Sequence, residues 1–358
     1  WTKSAANATS SAACYKDVTL NKNGYSGSIT AGGTSGTCTW TVSSTTGSST
    51  LSVWYNKACT LPTISGFTQT GYTNSSAWSS ANTVAGTAIT SISASTTAPA
   101  DTIYVRKVSC AATYYKSNST TCTTCGTAYP KSDAGTGGQT SCYAEITLNK
   151  NGFSGSITAA SGGGCEVNSN SGTNAATLRL HYNTACTLPS TSLTQTGYAS
   201  TTTWSAVNTI GGAQVSTIAA STSAPTTTTY YARKTGCVSP YYKSNTTTCS
   251  ACSGLTVPSS GWVTGGTYTS VSPYDASTTC RYKAPDMSST PSNCSGVTTN
   301  TVTYTGSAWN TNIYTVTSSS GNYITSNNNS SPTCSACPTG WTKSAANATS
   351  SAACYKDV

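Results

Sequence analysis

The chain has 358 residues, enough for two to four small domains, but only 7% of them are charged where globular proteins carry about 25%, and Ser and Thr together number 133. A formal charge of +9 arises from 17 basic and 8 acidic residues with no basic run longer than Arg233-Lys234, which argues against a nucleic-acid groove, since such grooves need clustered Lys and Arg. No run of about 18 apolar residues exists, so no membrane span is expected.

Disorder is argued against by 22 Tyr and 8 Trp, rings that need somewhere to pack. Phe (2) and Met (1) are scarce, so the large apolar groups are ones with a polar edge, suited to several thin cores and not one thick one. Seventeen Cys place folding in an oxidising compartment, so the protein is expected to be exported, extracellular or at the cell surface. The chain starts at Trp1 without an initiator Met or a signal peptide, as an internal piece or a processed form would.

Taken in chain order, short β-branched and aromatic segments bounded by Gly, Asn and Ser predict strands at Thr39–Val42, Leu51–Tyr55, Ile103–Val108, Ile146–Leu148, Leu178–Tyr182 and Val302–Tyr304. NKNG at 21–24 and at 149–152 reads as a hairpin turn, because Asn-Gly supplies positive φ. Short helices are expected only at Ala77–Ala85 and Trp204–Ile210. The fold class is therefore mainly β, in small modules.

Two levels of repetition organise the chain. Residues 1–18, WTKSAANATSSAACYKDV, return unchanged at 341–358, an offset of 340 residues, which makes the chain one period of a longer array plus an overlap. Within the period, DVTLNKNGYSGSIT at 17–30 recurs as EITLNKNGFSGSIT at 145–158, ACTLP at 58–62 as 185–189, TQTGY at 68–72 as 194–198, and YYKSNSTTC at 114–122 as YYKSNTTTC at 241–249. Cys38, Cys59, Cys110, Cys122 and Cys125 each recur 127 residues on, and a shortened third unit runs from Cys280 to Cys337. Expected boundaries are 1–13 (end of a cysteine-rich connector), 14–109 (first β module), 110–142 (connector), 143–236 (second module), 237–280 (connector), 281–333 (shortened third module) and 334–358 (connector into the next period). Repeats that stack only on neighbours build elongated arrays.

The order TLNKNGxSGSIT, TLP, TQTGY with a Trp six residues on, then TxYxRK, resembles the internalin B-repeat group of bacterial cell-surface modules over about Tyr15–Ser109 and Tyr143–Gly236. The second Gly of that family's turn is Tyr25 or Phe153 here, and its final Trp is Lys107 or Lys234. The connectors, with CxxC behind an aromatic-Tyr-Lys lead-in, are similar to receptor-like cysteine-rich repeats. The resemblance implies small β-grasp-like sheets, α+β in class, at a bacterial surface and in an adhesive or structural role.

Four Cys alone allow three connectivities. The resemblance, taken with loop size, implies sequential pairing: Cys38 with Cys59, Cys110 with Cys122, Cys125 with Cys142, Cys165 with Cys186, Cys237 with Cys249, Cys252 with Cys280, and Cys294 with Cys334. Cys337 and Cys354 share the spacing of Cys125 and Cys142 and are expected to bond. Cys14, equivalent to Cys354 one period earlier, is expected to pair across periods and to stand unpaired within this chain.

Chemistry finds little footing. The single histidine, His181, aligns with Trp54, as a packing or surface site would. The acids Asp17, Asp101, Asp133, Glu145, Glu166, Asp275, Asp286 and Asp357 include no close pair of the kind sugar hydrolysis needs. Three CxxC pairs in separate modules read as cystines and not as zinc ligands, and no cofactor is expected. Glycan acceptors of the Asn-x-Ser/Thr type occur at Asn7, Asn74, Asn118, Asn245, Asn293, Asn328, Asn329 and Asn347, while Ser/Thr tracts offer O-linked alternatives. The expectation is a non-enzymatic filament or stalk segment whose partners are copies of itself or adjoining periods, head to tail, with glycans as further partners. The alternative is a surface adhesin binding carbohydrate or a host protein.

Overall fold

A computed structural model describes residues 1–30, 38–41, 48–158, 164–169, 174–256, 266–269, 279–304, 308–310, 312–327 and 330–358. It is mainly β, built of many small sheets stapled by eight cystines. In the first module the sheet order is Cys38–Thr41, Ser48–Trp54, Cys14–Asn21, Thr102–Val105, Trp78–Ser79. Thr102–Val105 runs parallel to Cys14–Asn21 (Ile103 opposite Leu20), and the other neighbours are antiparallel. Alternation sets the faces: Ser49, Leu51 and Val53 are buried while the residues between them are half-exposed, the period of two that a half-covered strand requires.

The second module repeats this order with Cys165–Ser169, Ala175–His181, Tyr143–Asn149, Thr229–Ala232 and Trp204–Ser205, again with one parallel pair. Its core gathers Ile146, Leu148, Phe153, Leu178, Leu193 and Trp204, the counterpart of Val18, Leu20, Tyr25, Leu51, Phe67 and Trp78 in the first. Each buried Trp keeps its donor satisfied, Trp78 Nε1 on the Pro62 carbonyl (2.7 Å) and Trp204 Nε1 on that of Pro189 (2.8 Å).

Three local expectations are corrected. Trp78 and Trp204 start two-residue strands, not helices, and the Ser79 and Ser205 hydroxyls accept from the Ala81 and Val207 amides, satisfying locally the amides a helix would use. The α+β component of the expected class is thereby absent, since no α-helix occurs among the described residues. The NKNG turns carry the expected positive φ at Asn23, Gly24, Asn151 and Gly152, yet close no hairpin. Instead each drops Tyr25 or Phe153 into the core and passes the chain to a second layer, where Ile29–Thr30 pairs with Thr63–Ile64 and Ser154–Ile157 with Thr191–Thr194. The positive φ at Gly24 and Gly152 favours glycine, and a Cβ there would lie 2.4 or 2.7 Å from the side-chain nitrogen of Gln69 or Gln195, the movable end of that side chain.

The third unit is not the first sheet shortened. Thr267–Thr269, Cys280–Lys283 and Thr301–Tyr304 form an antiparallel sheet beside a separate pair, Gly296–Thr299 with Tyr314–Thr317, over a small core of Tyr282, Val302, Ile313 and Tyr314. It lacks the SGSIT segment that enters the second layer in the other two. Each connector is a two-stranded hairpin: Tyr114–Lys116 with Cys122–Thr124, Tyr241–Lys243 with Cys249–Ala251, and Asn322–Ser326 with Thr333–Ala336. The last pairing runs across the expected 333/334 boundary, so that hairpin belongs wholly to the connector. The described part of Cys252–Cys280 leads directly into a strand of the third sheet.

Candidate assembly joint

The two copies of the eighteen-residue segment fold alike. In both, a Lys-Ser strand pairs with the strand after the Cys (Lys3–Ser4 on Cys14 and Tyr15; Lys343–Ser344 on Cys354 and Tyr355). Asn7 and Asn347 sit at positive φ, a single 3-10 turn precedes each Cys, and Lys3–Asp17 and Lys343–Asp357 form ion pairs. Hydrogen bonds from Lys3 and Ser52 hold the Asp17 carboxyl below its ordinary value, and Asp17 raises Lys3 in return.

What differs is the partner, and the differences are complementary. At the C-terminal end the segment packs on the preceding connector: Ser344 is 3% exposed, its Oγ donates to the Asn322 carbonyl (2.7 Å) and accepts from the Gly321 amide (3.1 Å), and Asn347 Oδ1 accepts from the Ser318 amide (3.0 Å). Cys354 is buried and bonded to Cys337. At the N-terminal end Ser4 and Asn7 are exposed and Cys14 is a free, half-buried thiol. There the segment packs forward into a module. Val18 is wholly buried, Tyr15 lies against Trp54 (centroids 4.9 Å apart) and Trp1 against Tyr55 (5.4 Å). Their C-terminal equivalents Trp341 and Tyr355 are 52% and 47% exposed.

The joint between the first and second modules shows both halves together. Backward, Cys125 bonds Cys142, and Ser132 Oγ donates to the Tyr114 carbonyl (2.8 Å). Forward, Tyr129 meets Tyr182 edge-on (5.5 Å) and Tyr143 meets His181 (6.0 Å). Lys131 pairs with Glu145 as Lys3 does with Asp17. The backbone step under the joint is also shared: Cys125 donates to the Thr113 carbonyl and Cys337 to that of Gly321, both at 2.9 Å, and Thr113 and Gly321 both have positive φ.

The cystines brought together are Cys38–Cys59, Cys110–Cys122, Cys125–Cys142, Cys165–Cys186, Cys237–Cys249, Cys252–Cys280, Cys294–Cys334 and Cys337–Cys354. No CxxC pair closes on itself, so each CxxC joins two elements. Among the described residues, no three His, Cys, Asp or Glu side chains are grouped to hold a metal ion, and no helix is long and apolar enough to cross a membrane. The cystine content is that of a secreted or extracellular protein.

A second fastening was missed in the sequence. Lys107 and Lys234, both buried, donate Nζ to the Thr120 and Thr247 carbonyls (2.8 and 3.0 Å), which also accept from the Tyr72 and Tyr198 hydroxyls (3.1 and 3.2 Å). Each ammonium also lies over its tyrosine ring, 5.2 and 5.0 Å from the centroid, and burial lowers both lysine pKa values. This clamp ties each hairpin loop to the module before it. The signal was present in the Arg-Lys dipeptide at the same place in both repeats.

The structure corrects the view that the acids stay apart. Arg179 Nη1 reaches Asp133 (2.8 Å) and Glu166 (3.9 Å), and His181 Nε2 lies 3.8 Å from Glu166, around a hollow of about 220 Å³ that also includes Ser141. Residues distant in sequence meet there because Asp133 stands on the connector while Glu166 and Arg179 face each other across paired strands. The ring's other nitrogen faces the Thr140 carbonyl (3.0 Å) and Ser141 Oγ donates to the Gly138 carbonyl (2.7 Å), so the serine is not hydrogen-bonded to the imidazole. Of the glycan acceptors, Asn7, Asn74, Asn118, Asn245, Asn293 and Asn347 are exposed; Asn328 and Asn329 lie outside the described residues. No protein-family model matches the chain, and no curated protein or solved structure does either.

Proposed function

We propose that the chain is a non-catalytic structural segment of an extracellular filament or stalk, in which 340-residue periods follow one another head to tail. One observation carries this reading: the same eighteen residues fold alike at both ends and make opposite halves of one joint, and an internal joint of the same construction has both halves filled. In an array every such segment would pack backward as 341–358 does and forward as 1–18 does. Each junction would then be locked by a cystine whose loop restrains the unfolded chain by roughly 3 kcal/mol. The bacterial surface setting rests on the internalin-like motif order alone.

An adhesin would display aromatic side chains for a ligand. Trp78 and Trp204 are instead 2% and 1% exposed, and the exposed Trp341 and Tyr355 belong to the forward half of the joint. The test is a chain of two periods studied by electron microscopy and small-angle scattering. A rod whose length grows by a constant increment per period supports the proposal. Two periods tumbling as independent bodies would overturn it.

A further inference from the structure

We infer that Asn118 and Asn245 are N-linked glycan sites, chosen from the eight acceptor sequences by the geometry of the loop that carries them. They occupy the same position in the two repeats, at the tips of the Tyr114–Lys116/Cys122–Thr124 and Tyr241–Lys243/Cys249–Ala251 hairpins, and both are exposed. In each, the residue two positions on turns back to the asparagine. Asn118 Oδ1 accepts from the Thr120 amide (2.9 Å) and hydroxyl (3.0 Å), and Asn245 Oδ1 accepts from the Thr247 amide (2.9 Å) and hydroxyl (3.0 Å).

Two donors on the carboxamide oxygen draw electron density from Nδ2 and favour loss of its proton, which is what an amide needs to become a nucleophile. Nδ2 of both residues has no hydrogen-bond partner among the described residues. The co-reactant is a sugar donor activated through phosphate, supplied with its transferase by the export compartment. The bond from the sugar's anomeric carbon to Nδ2 forms as its bond to the phosphate oxygen breaks. The phosphate leaves with that electron pair, the Nδ2 proton passes to a base of the transferase, and nothing is oxidised or reduced.

The loop is held for display. The Val84 and Ile210 amides donate to the Ser119 and Thr246 carbonyls (2.8 Å each), and the lysine clamp holds the next carbonyl in the chain. A glycan there would stand off the module and hydrate a surface that is poor in charge. The other described acceptors lack this geometry. Asn347 Oδ1 is taken by the Ser318 amide inside the joint, and among the described residues no hydrogen bond returns to Asn7 or Asn74 from Thr9 or Ser76. Asn293 stands at positive φ beside the Cys294 cystine.

The experiment uses the protein as secreted by its own cells, digested and treated in heavy-oxygen water with the amidase that converts glycosylated Asn to Asp. Heavy-oxygen Asp at 118 and 245, with unmodified Asn at 347, is the expected result. Thr120→Val and Thr247→Val should abolish the sugar at their own site, and Thr120→Ser and Thr247→Ser should keep it. Unmodified Asn118 and Asn245, sugar confined to Ser and Thr, or sugar on Asn347 in the closed joint would each overturn the inference. Neither result depends on whether periods form an array.

Discussion

Cys14 and Cys354 occupy the same place in identical segments that fold alike, yet Cys354 is buried in a cystine with Cys337 and Cys14 carries a free, half-buried thiol. Cys337, the partner of Cys354, directly follows the hairpin strand Thr333–Ala336, and on the proposed array reading the equivalent cysteine of a preceding period would bond Cys14. A chain of two periods should therefore present one thiol and not two to a maleimide under native conditions. That thiol should map to the first period's Cys14, and the peptide spanning the inter-period junction should be cross-linked. A second labelled thiol at the junction would show that periods do not staple to one another.

Thr113 and Gly321 are structural equivalents beneath two joints, each giving its carbonyl to the second Cys of a CxxC pair and each at positive φ (70° and 87°). A β-branched residue there is strained by roughly 1–2 kcal/mol, whereas glycine costs about 0.5–1 kcal/mol in unfolded-state entropy. Thr113→Gly should therefore leave stability unchanged or raise it by up to about 1 kcal/mol, read from the urea midpoint of the oxidised protein. A loss of more than about 1 kcal/mol would mean the Thr113 side chain makes a needed contact.

Much of the architecture was legible because the repeat is a copying pattern and needs no physics to detect. Alternation then placed Leu51, Val53, Ile146 and Leu178 in strands, and the family resemblance, taken with loop size, implied which cysteines pair. What failed depended on contacts distant in the chain. The Asn-Gly turns looked like hairpins because local φ was the only cue; that Tyr25 and Phe153 would be drawn into a core and send the chain to another layer is a tertiary effect. Ala77–Ala85 and Trp204–Ile210 were expected to be short helices, but Trp78 and Trp204 close on the Pro62 and Pro189 carbonyls and stand in extended pairing. The meeting of Asp133, Glu166 and Arg179 had no sequence signal at all.

His181 packs its ring on Tyr143 where the first module packs Trp54 on Tyr15. If that place is for packing, His181→Trp should cost less than His181→Ala, because the equivalent place in the first module already holds an indole against a tyrosine. His181→Ala should cost about 1–3 kcal/mol, by emptying the space over Tyr143. Thermal unfolding of the two variants checks this. A destabilisation by Trp equal to that by Ala would point to a specific need for imidazole beside Glu166.

Lys107 gives the clearest pH signature. Its ammonium is buried on the Thr120 carbonyl and the Tyr72 ring, and burial lowers its pKa below the ordinary 10.5. In the window between the folded and unfolded values the unfolded chain holds more protons than the folded one, so stability rises with pH across that window and is lower beneath it. Lys107→Met keeps the stem and removes the donor and charge, so at neutral pH it should cost about 1–2 kcal/mol, the value of a hydrogen bond from a charged group less its desolvation. Because the variant lacks the titrating group, the gap between wild type and variant should widen as pH climbs toward 10.5, while the tyrosines common to both cancel in the difference. Lys234→Met should behave alike in the second module, and the double variant should show the sum, since the two clamps share no residue. Urea unfolding of the four proteins at neutral pH and at pH values approaching 10.5 measures this. A gap that narrows with rising pH would show that Lys107 is stabilised in its charged form, with the Thr120 carbonyl and the Tyr72 ring outweighing burial.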